Sequence, residues 1–326
     1  MKINTDNIQE SIQKSRPTLK TNTVKQYEIN LNKLKKIFDT DSYDFLEKPK
    51  TVMDKISHLH YTSQRNHLNA IIVLLSALNT NEKYDKLLEE YGKLRDELND
   101  KYSEEQKSGV ISEKQSKNFT TIEEVYKMID TMGEELKPIK KKTKDQMTSR
   151  EKALLQVYTL FNIYSRMPMR NDVAGMEAIQ KRTYNKLSEE EKKEKFYLVI
   201  EKNNLFFVLN KYKTAKKYEE LKLPIEDKQL KKLLRYYIKI NGLGVLFKSS
   251  TGNPLSRNAL TQLLIKTSKK YMGKSISTTL LRKIYLSSKY GDMKKELEKD
   301  NKVMGHSKGV ALDTYVKEEA EQQKEE

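Results

Sequence analysis

A mainly α protein with a small antiparallel β-sheet, divided into two domains, is what this sequence predicts. Three observations lead there. Apolar residues recur at helical spacing over most of the chain. The period changes to that of strands only around residues 196–224, where Asn203-Asn204 separates two apolar runs. Between the halves, residues 99–118 (NDKYSEEQKSGVISEKQSKN) are highly charged, poor in apolar residues and contain a single glycine, the composition of a linker.

In chain order, residues 1–20 are polar and read as a flexible N-terminus. From Thr23, the apolar positions Val24, Tyr27, Ile29, Leu31, Leu34 and Ile37 describe a first long helix. Asp41-Ser42 and the stretch to Pro49 break it. Thr62 or Ser63 is suited to cap a second long helix, striped by Leu68, Ile71, Ile72, Leu74, Leu75 and Leu78. A third is expected from Glu82 to about Leu98. Three or four helices with no strand signal make a compact helical domain, placed at 21–105. Its polar faces carry Lys25, Lys33, Lys35, Lys36, Arg65 and His67, which could reach phosphates, although a plain helical bundle has the same spacing. The linker is set at 106–119.

The second domain is placed at 120–317. Thr120-Thr121-Ile122-Glu123 reads as a capping box that opens a helix to about Glu135. Thr148-Ser149-Arg150-Glu151 reads as another, opening the most apolar helix of this half, which Pro168 stops. Arg170 follows, with a new helical stretch from Asn171-Asp172. Strands are expected at Phe196–Ile200 and Leu205–Leu209, and a third at Leu221–Pro224 beyond a loop holding Lys211, Lys213, Lys216 and Lys217. Helices resume at Glu226–Ile240 and from Arg257. Ser277-Thr278-Thr279 caps another, bearing Arg282, and a further helix is expected around Asp292–Lys299. The chain then reads Met304-Gly305-His306-Ser307, with Tyr315 nine residues after His306 and an acidic tail at 318–326.

Charge is unevenly spread. Residues 1–120 carry 20 Lys and Arg against 18 Asp and Glu, whereas the remainder carries 43 against 28, a net of +15. The second half therefore has most of the capacity to neutralise phosphates, and its binding to a polyanion should weaken with salt. A solvated Lys-rich surface is the plain alternative. With no cysteine, the chain has neither disulfides nor a thiolate nucleophile. Its four histidines supply a metal centre poorly, and the His58-x-His60 pair has no third partner at ligand spacing. Gly242-x-Gly244 is too short for a phosphate-binding loop, and no Walker lysine pattern occurs. No apolar run approaches the ~20 residues of a membrane span, and MKINTDNIQE lacks the apolar region of a signal peptide. An intracellular, soluble protein is expected, in the cytoplasm or nucleus of a host cell. The Lys/Asn-rich composition suits an AT-rich mobile element or a virus.

With these residues in view, positions ~120–317 resemble the catalytic domain of the tyrosine recombinases, the phage-integrase family related to type IB topoisomerases, and the preceding helices resemble that family's core-binding domain. Arg170 after a helix and turn matches the family's first arginine. Thr279-Leu280-Leu281-Arg282 occupies the H-x-L-R box, and Gly305-His306-Ser307 with Tyr315 matches the closing G-H-S…Y. Lys213-Thr214 resembles the family's lysine–threonine pair.

The resemblance implies a site-specific recombinase or integrase that breaks and rejoins double-stranded DNA through a 3′-phosphotyrosyl link, without metal or nucleotide cofactor. Tyr315 would be the nucleophile. Arg170 and Arg282 would hold the non-bridging oxygens, and His306 would bond the phosphate or help move the tyrosine proton. Lys213, with Lys216 as the alternative, would protonate the departing 5′ oxygen. Lys25, Lys33, Lys36, Arg65, His67, Lys211, Lys217 and Arg257 are the candidate DNA contacts. The implied assembly is a homotetramer on synapsed DNA, and a monomer or dimer off it. A relaxing topoisomerase or telomere resolvase shares the nucleophile, and a non-catalytic DNA-binding protein could share the fold. Two departures stand out: Thr279 replaces the box histidine, and Val173 occupies a position usually acidic, where Asp172 could substitute.

Overall fold

The computed structural model describes residues 7–78, 82–210 and 220–304. The protein is mainly helical with one small sheet, and contacts divide it into two compact units at Ile111/Ser112.

In the first unit, α1 (Ile8–Ser15) starts at Asn7, whose side chain accepts the Glu10 backbone N–H. Ile8 and Ile12, one turn apart, are buried in the core of this unit. The expectation of a flexible N-terminus is therefore wrong for this segment: two apolar residues on one helical face are enough to dock it. α2 (Thr21–Phe38) buries Val24, Leu31 and Leu34. It stops at Asp39, a left-handed residue with φ of 48° whose N–H returns to Lys35 and Lys36 carbonyls. α3 (Pro49–Ile56) begins on its proline. α4 (Tyr61–Leu78) is the central apolar helix, and α5 (Glu82–Ser108) packs along it. Tyr91, fully buried, donates from Oη to the Leu46 carbonyl at 2.9 Å.

α5 runs ten residues past its expected end near Leu98. No proline or glycine interrupts it between Lys93 and Ser108, and surface pairs such as Lys93–Glu89 (2.7 Å) suit a solvated helix. The linker placed at 106–119 thus starts inside a helix and contains a short one, α6 (Glu113–Ser116).

In the second unit, α7 (Ile122–Leu136) is capped by Thr121, which accepts from Glu124 N–H, one residue later than the expected box. α8 (Ser149–Arg166) has the predicted capping box, with Thr148 and Glu151 reciprocally bonded. It buries Leu155, Leu160, Phe161 and Tyr164 and forms the axis of this unit's core. After it, a single 3-10 turn, Asn171–Gly175, replaces the helical stretch expected there and leads to β1 (Glu177–Gln180). Two short helices, α9 (Lys181–Tyr184) and α10 (Glu189–Glu194), precede β2 (Tyr197–Ile200) and β3 (Leu205–Leu209). β4 is Leu221–Pro224 as expected, and α11 spans Lys228–Asn241. β5 (Gly244–Val245), α12 (Arg257–Met272) and α13 (Thr278–Met304) complete the unit.

The sheet order is β4-β3-β2-β1-β5. It is mixed, which corrects the expectation of an antiparallel sheet: β1 and β2 are parallel, with Glu177 opposite Tyr197, and the other pairs are antiparallel. The α9–α10 crossover between β1 and β2 is long enough for a parallel return. β1 itself, Glu-Ala-Ile-Gln, is too short and mixed to show a period. β2 is buried on both faces: Leu198 and Ile200 join the main core, while Tyr197 and Val199 pack with Tyr184 and Val208. That double burial explains its unbroken apolar run. The separate helix expected at Asp292–Lys299 is the second half of α13, because the lone Gly291 costs a helix only about 1 kcal/mol. Among the described residues, no helix is long and apolar enough to cross a membrane.

Candidate active site

Arg170 sits where α8 has just ended. Met167 caps the helix in an extended conformation, Pro168 prevents its continuation, and Arg170 is the extended residue that opens the 3-10 turn. Its carbonyl accepts from Tyr164 Oη at 3.1 Å, which ties this turn to the buried face of α8, and its side chain is exposed. The other nearby arginine, Arg166, is already engaged: it meets Asp227 at 3.3 Å and Asn162 Oδ1 at 2.8 Å. Arg170 is the one left to face outward.

The next residue, Asn171, gathers three elements. Its Nδ2 donates to Thr261 Oγ1 (2.9 Å) and to the Arg257 carbonyl (3.4 Å), both on α12. Its Oδ1 accepts from Thr278 Oγ1 at 3.3 Å, at the first residue of α13. The N-terminal turns of two helices thus meet beside Arg170. Helix N-termini present unpaired N–H groups and the positive end of the macrodipole, so this is a favourable setting for an anion.

Arg282 lies four residues after Thr278, on the same face of α13. It is half-buried, and its Nε–H is shielded from solvent with no acceptor among the described residues. A guanidinium stays charged at any working pH, and leaving a buried donor unpaired costs about 1–3 kcal/mol. Thr279, which holds the box-histidine position, is exposed, whereas Thr278 is buried and makes the bond to Asn171. Val173 is buried in the core.

The loop between β3 and β4 that holds Lys211, Lys213, Lys216 and Lys217 lies outside the described residues, as do His306, Tyr315 and the tail at 318–326. The structure does fix the two strands that flank the loop, pairing Leu209 with Leu221. Asn171 and Thr278 were not singled out from the sequence. The signals were present but local: a short polar residue after Arg170, and a capping threonine at i−4 from Arg282.

In the first unit, Lys25, Lys33 and Lys36 are exposed on α2, and Ile29, 47 % exposed, lies among them on the same side. Between α2 and α4 is a cavity of about 470 Å³, lined in part by Lys33, Lys36, His58, Ser63 and Asn66. Arg65 is half-buried and stacks over the Tyr102 ring, 4.2 Å from its centroid, with Nε buried and without a partner among the described residues. His67 also lines this cavity, but it is buried rather than displayed on the polar face where it was expected. It is 5 % exposed, and its Nδ1–H donates to the Asn30 carbonyl at 3.1 Å. Burial, reinforced by the nearby Lys33 charge, holds its pKa below the ordinary imidazole value. In the second unit, Arg257 is exposed at the start of α12.

No family model matches the chain, and no curated protein matches it either.

Proposed function

We propose that this chain is a site-specific DNA recombinase of the tyrosine type, which cleaves and rejoins strands through a covalent 3′-phosphotyrosyl intermediate. The observation that carries the reading is the Asn171–Thr278 bond, which joins the Arg170 turn to the helix bearing Arg282, whose Nε has no acceptor among the described residues. Two arginines delivered by distant parts of the chain to neighbouring helix starts suit a phosphate that must gain charge in its transition state.

In the proposed step, Tyr315 Oη attacks a backbone phosphorus of double-stranded DNA. The P–O5′ bond breaks, leaving the 3′-phosphate on the tyrosine. Lys213, or Lys216, gives its proton to the departing 5′ oxygen, and the tyrosine proton leaves by way of His306 or water. Arg170 and Arg282 neutralise the two non-bridging oxygens. Rejoining is the reverse, with a 5′ hydroxyl as nucleophile, so the bond energy is conserved and the step consumes no nucleotide.

The first unit, as a core-binding domain, would hold the duplex through Lys25, Lys33, Lys36 and Arg65, and the second would add Lys211, Lys217 and Arg257. Strand exchange of this kind requires four protomers on two synapsed duplexes, in the cytoplasm or nucleus of the host of a mobile element or virus. The test is incubation with a pool of nicked duplexes of randomised sequence, followed by a denaturing gel. A protein–DNA adduct that disappears in Tyr315→Phe supports the reading. Binding without any adduct would mark a DNA-binding protein that lacks the chemistry.

A further inference from the structure

The segment that follows the boundary between the units, residues 112–119, grips the start of α13. Gln115 Oε1 accepts from Lys283 Nζ at 2.7 Å, across 168 residues of chain. Asn118 Oδ1 accepts the backbone N–H of Ser275 at 2.7 Å, and the Phe119 carbonyl accepts from Lys274 Nζ at 2.7 Å. Lys274 and Ser275 lead into the helix, and Lys283 is the immediate neighbour of Arg282. Elsewhere on the same turn, Thr278 is bonded to Asn171. The turn that presents Arg282 is therefore tied both to the Arg170 segment and to the opening residues of the second unit.

The chemistry of these ties is informative. The acceptors for Lys274 and Lys283 are an amide oxygen and a backbone carbonyl, both neutral. The Gln115 tie fixes Lys283 in place without cancelling its charge, which preserves positive potential beside Arg282, whereas Lys274 also feels the Glu124 carboxylate. The segment contains a carboxylate, Glu113, but that lies 3.8 Å from Lys117 on its own turn.

We propose that Gln115 and Asn118 are positioning residues for Arg282, so that the first residues of the second unit form part of the support for the phosphate-binding guanidinium. This inference rests on the recombinase reading. A guanidinium must be held within a fraction of an ångström to meet a transition state, and about 1 Å of misplacement can cost on the order of a hundredfold in rate.

The test uses the full chain and nicked duplex DNA, with single-turnover adduct formation measured at saturating DNA. Gln115→Met keeps the length and removes the acceptor. The expected result is a rate about tenfold lower, with DNA affinity and melting temperature unchanged. Lys283→Met should give the same loss, and the double variant no further loss. In an Arg282→Ala background, Gln115→Met should change the residual rate by less than about twofold, because sites that act through one another are not additive. Asn118→Ala should lower the rate as well. If the unaltered chain forms adduct and Gln115→Met forms it equally fast, the inference is overturned and the recombinase reading stands. A fall in melting temperature or affinity with an unchanged saturated rate would reduce the ties to ordinary structural bonds and also overturn it. If the unaltered chain forms no adduct, the reading fails and the inference fails with it.

Discussion

Asn171 and Thr278, 107 residues apart, share a hydrogen bond of 3.3 Å, and Arg170 precedes the first while Arg282 lies one helical turn beyond the second. Asn171→Ala removes the acceptor for Thr278 and the donor to Thr261. Adduct formation at saturating DNA should fall about tenfold or more as Arg170 loses its register with α13, while affinity changes little. An unaltered rate would show that this bond does not organise the arginines.

Arg282→Ala should lower the cleavage rate by about 10²–10³, the effect of losing one donor to a charged transition state. Arg282→Lys should recover little of it, because an ammonium cannot present two N–H groups to a phosphate in a planar fork. Full recovery in the lysine variant would show that charge alone, rather than geometry, is required.

The exposed lysines of α2 can be assessed from the salt dependence of binding. If Lys33 contacts a phosphate, Lys33→Ala should reduce the slope of log affinity against log salt by about 0.9. The same holds for Lys25 and Lys36. A slope unchanged in all three would place the DNA on another face.

His67 predicts a pH effect on the first unit. Its folded pKa is depressed by burial, so the folded state binds the proton less readily than the unfolded chain. The corresponding stability is fully present above the unfolded value of about 6.5 and is lost progressively as the pH falls. Urea midpoints at pH 7.5 and 5.5 should show this decline. His67→Gln, which does not titrate, should show a smaller one, and an identical decline would assign the effect to other groups.

Ile12 tests the docking of α1. It is fully buried, and Ile12→Ala should cost about 2–5 kcal/mol of unfolding free energy. A cost near zero would mean that the first helix contributes nothing to the core.

Much of this was legible in the sequence, for identifiable reasons. The capping box at Thr148–Glu151, the β3–β4 strands and the apolar face of α4 follow from rules that act within a few residues. The end of α8 before Arg170 was readable from Pro168, and the start of the helix bearing Arg282 from Ser277-Thr278, although a 3-10 turn stands where a helix was expected after Arg170. What could not be read depends on long-range contacts. The parallel β1–β2 pairing needs a partner 20 residues away, the docking of α1 rests on two isoleucines in a polar stretch, and the burial of His67 depends on Asn30 across a helix packing. The Asn171–Thr278 bond and the ties from Gln115 and Asn118 join residues more than a hundred positions apart, and no local pattern encodes them.

The central claim is that Tyr315 becomes covalently linked to DNA, and the most direct measurement is the identity of the linked residue. The trapped adduct would be digested with nuclease and protease and its peptides sequenced by mass spectrometry. The account predicts a nucleotide attached through its 3′-phosphate to Tyr315 in the peptide containing Asp313-Thr314-Tyr315-Val316. A nucleotide on any other residue, or linked through a 5′-phosphate, would contradict it.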